Sequence, residues 1–88
     1  MKSKVIGKLI EVQREKENGV KIFIFESEDK KYRLLLSSNR YTINREQLEL
    51  NKLYSINIYA NMKKYTNKNG IELIANNIHI SSFEEMEE

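Results

Sequence analysis

The sequence predicts an all-β chain with one short helix, arranged as a five-stranded Greek-key barrel with the helix between strands three and four. Three observations carry this. Apolar residues come in short runs rich in Ile, Leu, Val and aromatic rings, each bounded by Asn, Gly, Ser or Asp, which is the pattern of strands and tight turns. Only residues 37–52 break that pattern. The chain has 88 residues and no proline linker, so it forms one domain, which buries only roughly 60–65% of the surface exposed by the unfolded chain.

The first strand is expected over residues 5–15. Val5, Gly7 and Leu9 share one parity, and Ile10 and Val12 the other. Such a change predicts a β-bulge near Leu9 and Ile10, with Gly7 easing a close backbone approach. Asn18-Gly19 is a hairpin signal, because both residues accept positive φ. The second strand covers residues 20–27, where Val20, Ile22 and Ile24 alternate with Lys21, Phe23 and Phe25, leaving both faces largely apolar. Glu28-Asp29-Lys30 turns the chain into a third strand at 31–36, with Tyr32, Leu34 and Leu36 on one face and Lys31, Arg33 and Leu35 on the other.

Asn44 then reads as a helix cap, with Gln47 completing a capping box and Ile43 and Leu48 forming a hydrophobic staple. That helix is expected to last one to two turns and end near Asn51. Strands four and five follow at 53–62 and 71–80, joined by the connector Lys63-Lys64-Tyr65-Thr66-Asn67-Lys68-Asn69-Gly70. Parity shifts between Ala75 and Ile78, which predicts an irregularity at Asn76-Asn77. Beyond Ser81 the chain is expected to fray. The division is thus a domain at 1–82 and an acidic, flexible tail at 83–88.

Composition closes several routes. The chain has no Cys and a single His, so no disulfide framework, thiolate site or zinc cluster is expected, and no metal or other cofactor. No apolar run approaches the ~20 residues of a membrane span. Met1-Lys2-Ser3-Lys4 opens no signal peptide, and a cytoplasmic location is expected. His79 lies between Ile78 and Ile80 and is expected to face solvent or an interface. No nucleophile or phosphate-loop motif accompanies it, so no catalytic residue and no enzyme activity are expected.

The net charge of +2 conceals an asymmetry. Glu84, Glu85, Glu87 and Glu88 hold four of the thirteen acids, so fifteen bases face nine acids in residues 1–83, a balance of +6. A basic body points to a polyanionic partner. The 63–70 connector sharpens this. Lys63, Lys64 and Lys68 offer phosphate contacts and Tyr65 a stacking ring, a combination suited to unpaired bases on a charged backbone.

The element order, the early Gly7, the basic hairpin at 62–70 and the acidic end together resemble the OB-fold single-stranded-DNA-binding proteins of small bacterial, phage or plasmid type, over residues 3–80. That family usually has a longer chain with a Gly-rich linker and a hydrophobic tail tip, where this chain ends Met86-Glu87-Glu88. The resemblance implies a binding loop between strands four and five and a sheet face that takes bases. On that face Phe23 and Phe25 are candidate stacking rings, with core packing or a subunit interface as the competing placements. Lys31, Arg33, Asn57 and Tyr59 make a candidate groove. Arg14, Lys16 and Lys21 extend the basic track, diluted by Glu15 and Glu17, and Arg40-Tyr41 either joins it or anchors a loop.

The expected function is binding of single-stranded nucleic acid, DNA preferably and RNA as an alternative, with little sequence preference. A homo-oligomer, dimer or tetramer, is expected. The glutamates from Glu84 to the end offer a dock for partner proteins, a competitor for the basic groove, or a solubilising end. The rival reading is a protein-interaction and assembly module on the same fold.

Overall fold

Leu9, Phe23, Phe25, Leu36, Tyr54, Ile56 and Ile80 are all buried, and together with Leu48 they form one cluster. All but Leu48 lie on five strands, where Phe23 and Phe25, and likewise Tyr54 and Ile56, alternate with exposed or half-buried neighbours, so that these strands turn one face inward. The computed structural model describes residues 2–42 and 44–87, with the side chains of Lys2, Tyr65 and residues 61–63 and 74–77 outside the described set. The strands are β1 (Lys2–Val12), β2 (Lys21–Ser27), β3 (Arg33–Ser38), β4 (Leu53–Thr66) and β5 (Glu72–Met86). They close into a ring in the order β1-β2-β3-β5-β4. The neighbours are antiparallel except β3 and β5, which meet in parallel at Ser37↔His79.

β1 serves two partners. Its first half pairs with β4, from Lys2↔Tyr59 to Lys8↔Leu53, and its second half with β2. The register against β2 shifts between Leu9 and Glu11, leaving Ile10 as the extra residue, where the change of parity predicts a bulge. Gly7 lies inside the crowded part. A Cβ there would stand 3.0 Å from Phe25 Cβ and 3.1 Å from the Glu26 carbonyl oxygen, so only glycine fits without a shift.

The two hairpin tips share one design. Gly19 N–H bonds the Lys16 carbonyl at 2.9 Å and Lys16 N–H the Val20 carbonyl at 2.8 Å. Gly70 N–H bonds the Asn67 carbonyl at 3.1 Å and Asn67 N–H the Ile71 carbonyl at 3.0 Å. Both glycines are left-handed, with φ 84° and 76°. Asn18 does not join Gly19 at positive φ; its Oδ1 instead accepts from Val20 N–H at 3.0 Å. Between β2 and β3, Asp29 Oδ1 accepts from Ser27 Oγ at 2.7 Å and from Lys31 N–H at 3.0 Å. These two donors hold its carboxyl below the usual carboxylate range.

The expected helix is a single 3₁₀ turn, Arg45–Gln47. Asn44 is left-handed and its side chain makes no cap, so the capping box does not form; Ile43 of the staple lies outside the described residues. Leu48 still plugs the core, and Tyr54 Oη accepts from Glu49 N–H at 2.8 Å. Arg45 secures this segment through the Gly19 carbonyl at 2.8 Å and an ion pair with Glu15.

β5 runs to Met86, past the expected end at Ser81 and through four further rungs from Ile56↔Phe83 to Leu53↔Met86. Charge alone made these residues look like a tail, but Phe83 is an anchor. It packs edge-to-face on Tyr54, ring centroids 5.7 Å apart, and Tyr54 does the same on Phe25 at 6.3 Å. Glu85 bonds Lys52 at 3.2 Å, and Glu49 reaches the same ammonium at 3.0 Å. These two carboxylates, Glu49 first, raise the Lys52 ammonium above its ordinary range. The irregularity of β5 is not at Asn76-Asn77, whose rungs to Met62 and Asn61 run without a shift. It lies at Ser81, between Ile58↔Ile80 and Asn57↔Ser82. This one-residue insertion lets Ile80 and Phe83, three apart, both turn to the core.

Candidate nucleic-acid interface

Phe23 and Phe25 are 2% and 0% exposed. They fill the core, Ile22 and Ile24 take the outward face, and neither ring can receive a base. The reason is volume: the wide centre of a closed ring is filled by the larger side chains. Lys21 shares their parity and holds its ammonium 5.8 Å from the Phe23 ring centroid, so it covers an end of the core and does not line the outer face. Lys31 lies in the turn before β3, exposed, and does not share a strand face with Arg33.

The outward face carries a row that crosses four strands' width. Ile22 of β2 pairs with Ser37 of β3, Ser37 with His79 of β5, and His79 with Tyr59 of β4. The Tyr59 and His79 rings lie 5.1 Å apart at 33°. Ser37 Oγ stands 2.5 Å from His79 Nδ1 and donates to the Ile78 carbonyl at 3.2 Å. Two residues along, Ile24 pairs with Leu35, which is 58% exposed. Arg33, exposed and in register with Glu26, continues the same face of β3. Asn57 faces outward too, its amide donating to Ser82 Oγ at 2.8 Å. The structure thus brings Tyr59 and Arg33 onto one face with His79 and Ser37.

At this row the ring opens into an arm. Among the described pairings β1 reaches β4 only as far as Tyr59, and β3 touches β5 only at His79. From Ala60↔Ile78 to Thr66↔Glu72, β4 and β5 pair with each other alone. These seven rungs make a two-stranded ribbon of roughly 20 Å, which accounts for the 49 × 27 × 21 Å shape of the molecule. Lys63, Lys64 and Tyr65, expected in the connector, belong to strand β4, opposite Ala75, Ile74 and Leu73. Lys64 is exposed on the ribbon and Lys68 at its tip; the Lys63 and Tyr65 side chains lie outside the described residues.

The β1–β2 loop carries Arg14 and Lys16, both exposed. Its acids are not equivalent. Glu15 is neutralised by Arg45, while Glu17 offers its carbonyl to Arg40 at 3.3 Å. Arg40 lies across Gly19, with side-chain atoms 2.5–2.9 Å from where a Cβ would be, so it anchors the loop. Tyr41 beside it is 89% exposed. His79 and Ser37 were not among the expected site residues. Alternation along β5 signalled that His79 faces outward, but its partner depends on a parallel pairing 42 residues away in sequence, for which no local signal exists.

No group of His, Asp and Glu that could hold a metal occurs among the described residues, and none of their helices is long and apolar enough to cross a membrane. No protein-family model matches the chain, and no curated protein matches it.

Proposed function

We propose that this chain binds single-stranded nucleic acid, preferably DNA and with little sequence preference, as an OB-fold protein. The closed order β1-β2-β3-β5-β4, with one parallel contact and a short plug between β3 and β4, supports the fold reading. The observation that carries the function is the Tyr59–His79 ring pair at the root of a projecting ribbon with Lys64 and Lys68 exposed along it. Rings on a sheet face take unstacked bases, and lysines track the phosphates. Arg33 on the same face and Arg14 and Lys16 in the β1–β2 loop extend the basic surface. Lys31 at the β2–β3 turn lies close to it in sequence.

The test is fluorescence anisotropy with labelled oligo-dT, oligo-U and duplex DNA at about 50 and 200 mM salt. Oligo-dT is expected to bind best, duplex worst, and all to weaken with salt. Equal binding of duplex and single strand at both salts would reduce the interaction to unspecific charge attraction. Leu35, exposed beside Ile24, favours a second reading, an assembly surface for a homo-oligomer. Sedimentation of a monomer at high micromolar concentration would exclude it.

A further inference from the structure

We infer that Arg45, helped by Arg40, is a positioning residue for nucleic-acid binding: the two arginines clamp the β1–β2 loop, so that Arg14 and Lys16 meet phosphates from a loop that is already ordered. The inference rests on the function proposed above and deepens it by naming what presents those cations.

The clamp ties one connection to another. Residues 13–20 join β1 to β2, and residues 39–52 join β3 to β4. Arg45 Nη1 donates to the Gly19 carbonyl at 2.8 Å and to Ser38 Oγ at 3.4 Å, while Nη2 pairs with the Glu15 carboxylate. Ser38 Oγ donates in turn to the Lys21 carbonyl at 3.2 Å, which fixes the clamp to β2 and β3. Arg40 Nη2 donates to the Glu17 carbonyl at 3.3 Å, and its side chain lies over Gly19. Two guanidinium groups therefore hold the loop at Glu15, Glu17 and Gly19, a use that suits their several donors in a fixed plane. The Arg45 side chain is only 15% exposed, so its bonds form in a medium of lower dielectric than water.

The clamped loop adjoins the outward row. Gln13 N–H bonds the Ile22 carbonyl at 2.9 Å, and Ile22 begins the row that runs through Ser37 and His79 to Tyr59. Arg14 follows Gln13 directly, and Lys16 N–H bonds the Val20 carbonyl, two residues from Ile22. Arg14 and Lys16 are exposed, whereas the Arg45 guanidinium is engaged in the clamp. A loop ordered in advance loses less conformational entropy when its side chains meet a ligand. Arg45 thus acts on affinity through Arg14 and Lys16, without a phosphate of its own.

The test is a double-mutant cycle read by oligo-dT anisotropy. Arg45→Gln with Glu15→Gln removes the clamp and leaves the net charge unchanged. Arg14→Gln with Lys16→Gln removes the cations. With the clamp intact, losing the cations is expected to weaken binding about tenfold and lower the salt slope by about 0.7 per lost contact. Without the clamp, the same loss is expected to weaken binding about threefold or less. Amide exchange at Lys16 and Gly19 is expected to quicken when the clamp is removed. Replacing Lys64 and Lys68 is expected to weaken binding equally in both backgrounds, which a general loss of structure would not allow. Gly19→Ala is a second, charge-neutral route, because its Cβ would meet Arg40 side-chain atoms at 2.5–2.9 Å on a backbone of φ 84°. It is expected to quicken the same amides and to weaken binding about threefold. An equal effect of losing Arg14 and Lys16 in both backgrounds, or unchanged amide exchange, would overturn this inference and leave the proposed function standing. So would tighter binding by Glu15→Gln alone with a slope steeper by about 0.7, because Arg45 would then be a phosphate contact masked by Glu15. No binding of oligo-dT by wild type or variants in low salt would overturn both.

Discussion

Phe25 and Tyr59 occupy opposite faces of the sheet, and the contrast defines two kinds of substitution. Phe25 is fully buried against Tyr54, so Phe25→Ala should cost about 3–5 kcal/mol of stability. Urea unfolding would show it as a lower midpoint. Tyr59→Ala should leave the midpoint nearly unchanged and weaken oligo-dT binding by about 1–3 kcal/mol; unchanged affinity would remove the ring from the site. The alternation of β2 was legible in sequence, but not which parity faces in, because Ile22 and Ile24 are as apolar as Phe23 and Phe25. Only the closed ring decides. Asp29 adds a pH test. Its folded-state carboxyl is held low, first by Ser27, so its contribution exists above the unfolded value and is lost as pH falls through the folded one. Wild type should therefore exceed Asp29→Ala in unfolding midpoint near neutrality, with the gap closing in acid. A gap constant with pH would assign the effect to the turn backbone and not to the charge.

At the level of elements, the β4–β5 ribbon carries Lys64 and Lys68 exposed, with one exposed acid, Glu72, opposite Thr66. If Lys64 and Lys68 each neutralise a phosphate, replacing both by Gln should lower the salt slope by about 0.7 per lost contact and leave the fold intact. A double variant with the wild-type slope would place the ribbon outside the binding path. Turn chemistry made the tip legible, since Asn67 and Gly70 mark it in sequence as they do in the structure. The length of the flanking strands was not. Lys63, Lys64 and Tyr65 carry no Gly or Pro to stop a strand, and a basic run reads equally as loop or ribbon. Conversely, Asn44 and Gln47 carry the letters of a capping box, yet Asn44 at φ 60° has no geometry to cap. Arg45, bonded to the Gly19 carbonyl and to Glu15, holds that segment by contacts distant in sequence.

The whole molecule depends on how its ring closes. β3 and β5 meet at one rung, Ser37↔His79, while β4 and β5 stay paired from Thr66↔Glu72 down to Leu53↔Met86. The last four rungs therefore belong to the body, although their composition resembles a disordered end. Removing residues 83–88 takes away those rungs, the Phe83–Tyr54 contact and the Glu85–Lys52 ion pair. The exposed ion pair contributes little; the ring and the ladder carry the effect. That truncation should cost roughly 3 kcal/mol or more, seen as a lower urea midpoint. Removing only residues 87 and 88 lies beyond the ladder and should leave the midpoint unchanged. The two truncations also separate charge from structure. If the acidic end competes with phosphate for the basic face, the shorter deletion alone should tighten oligo-dT binding at low salt, with the gain fading as salt screens it. If removal of residues 83–88 left the unfolding midpoint untouched, the terminal rungs would contribute nothing to closure, and the ring would have to be held by the core cluster without Phe83.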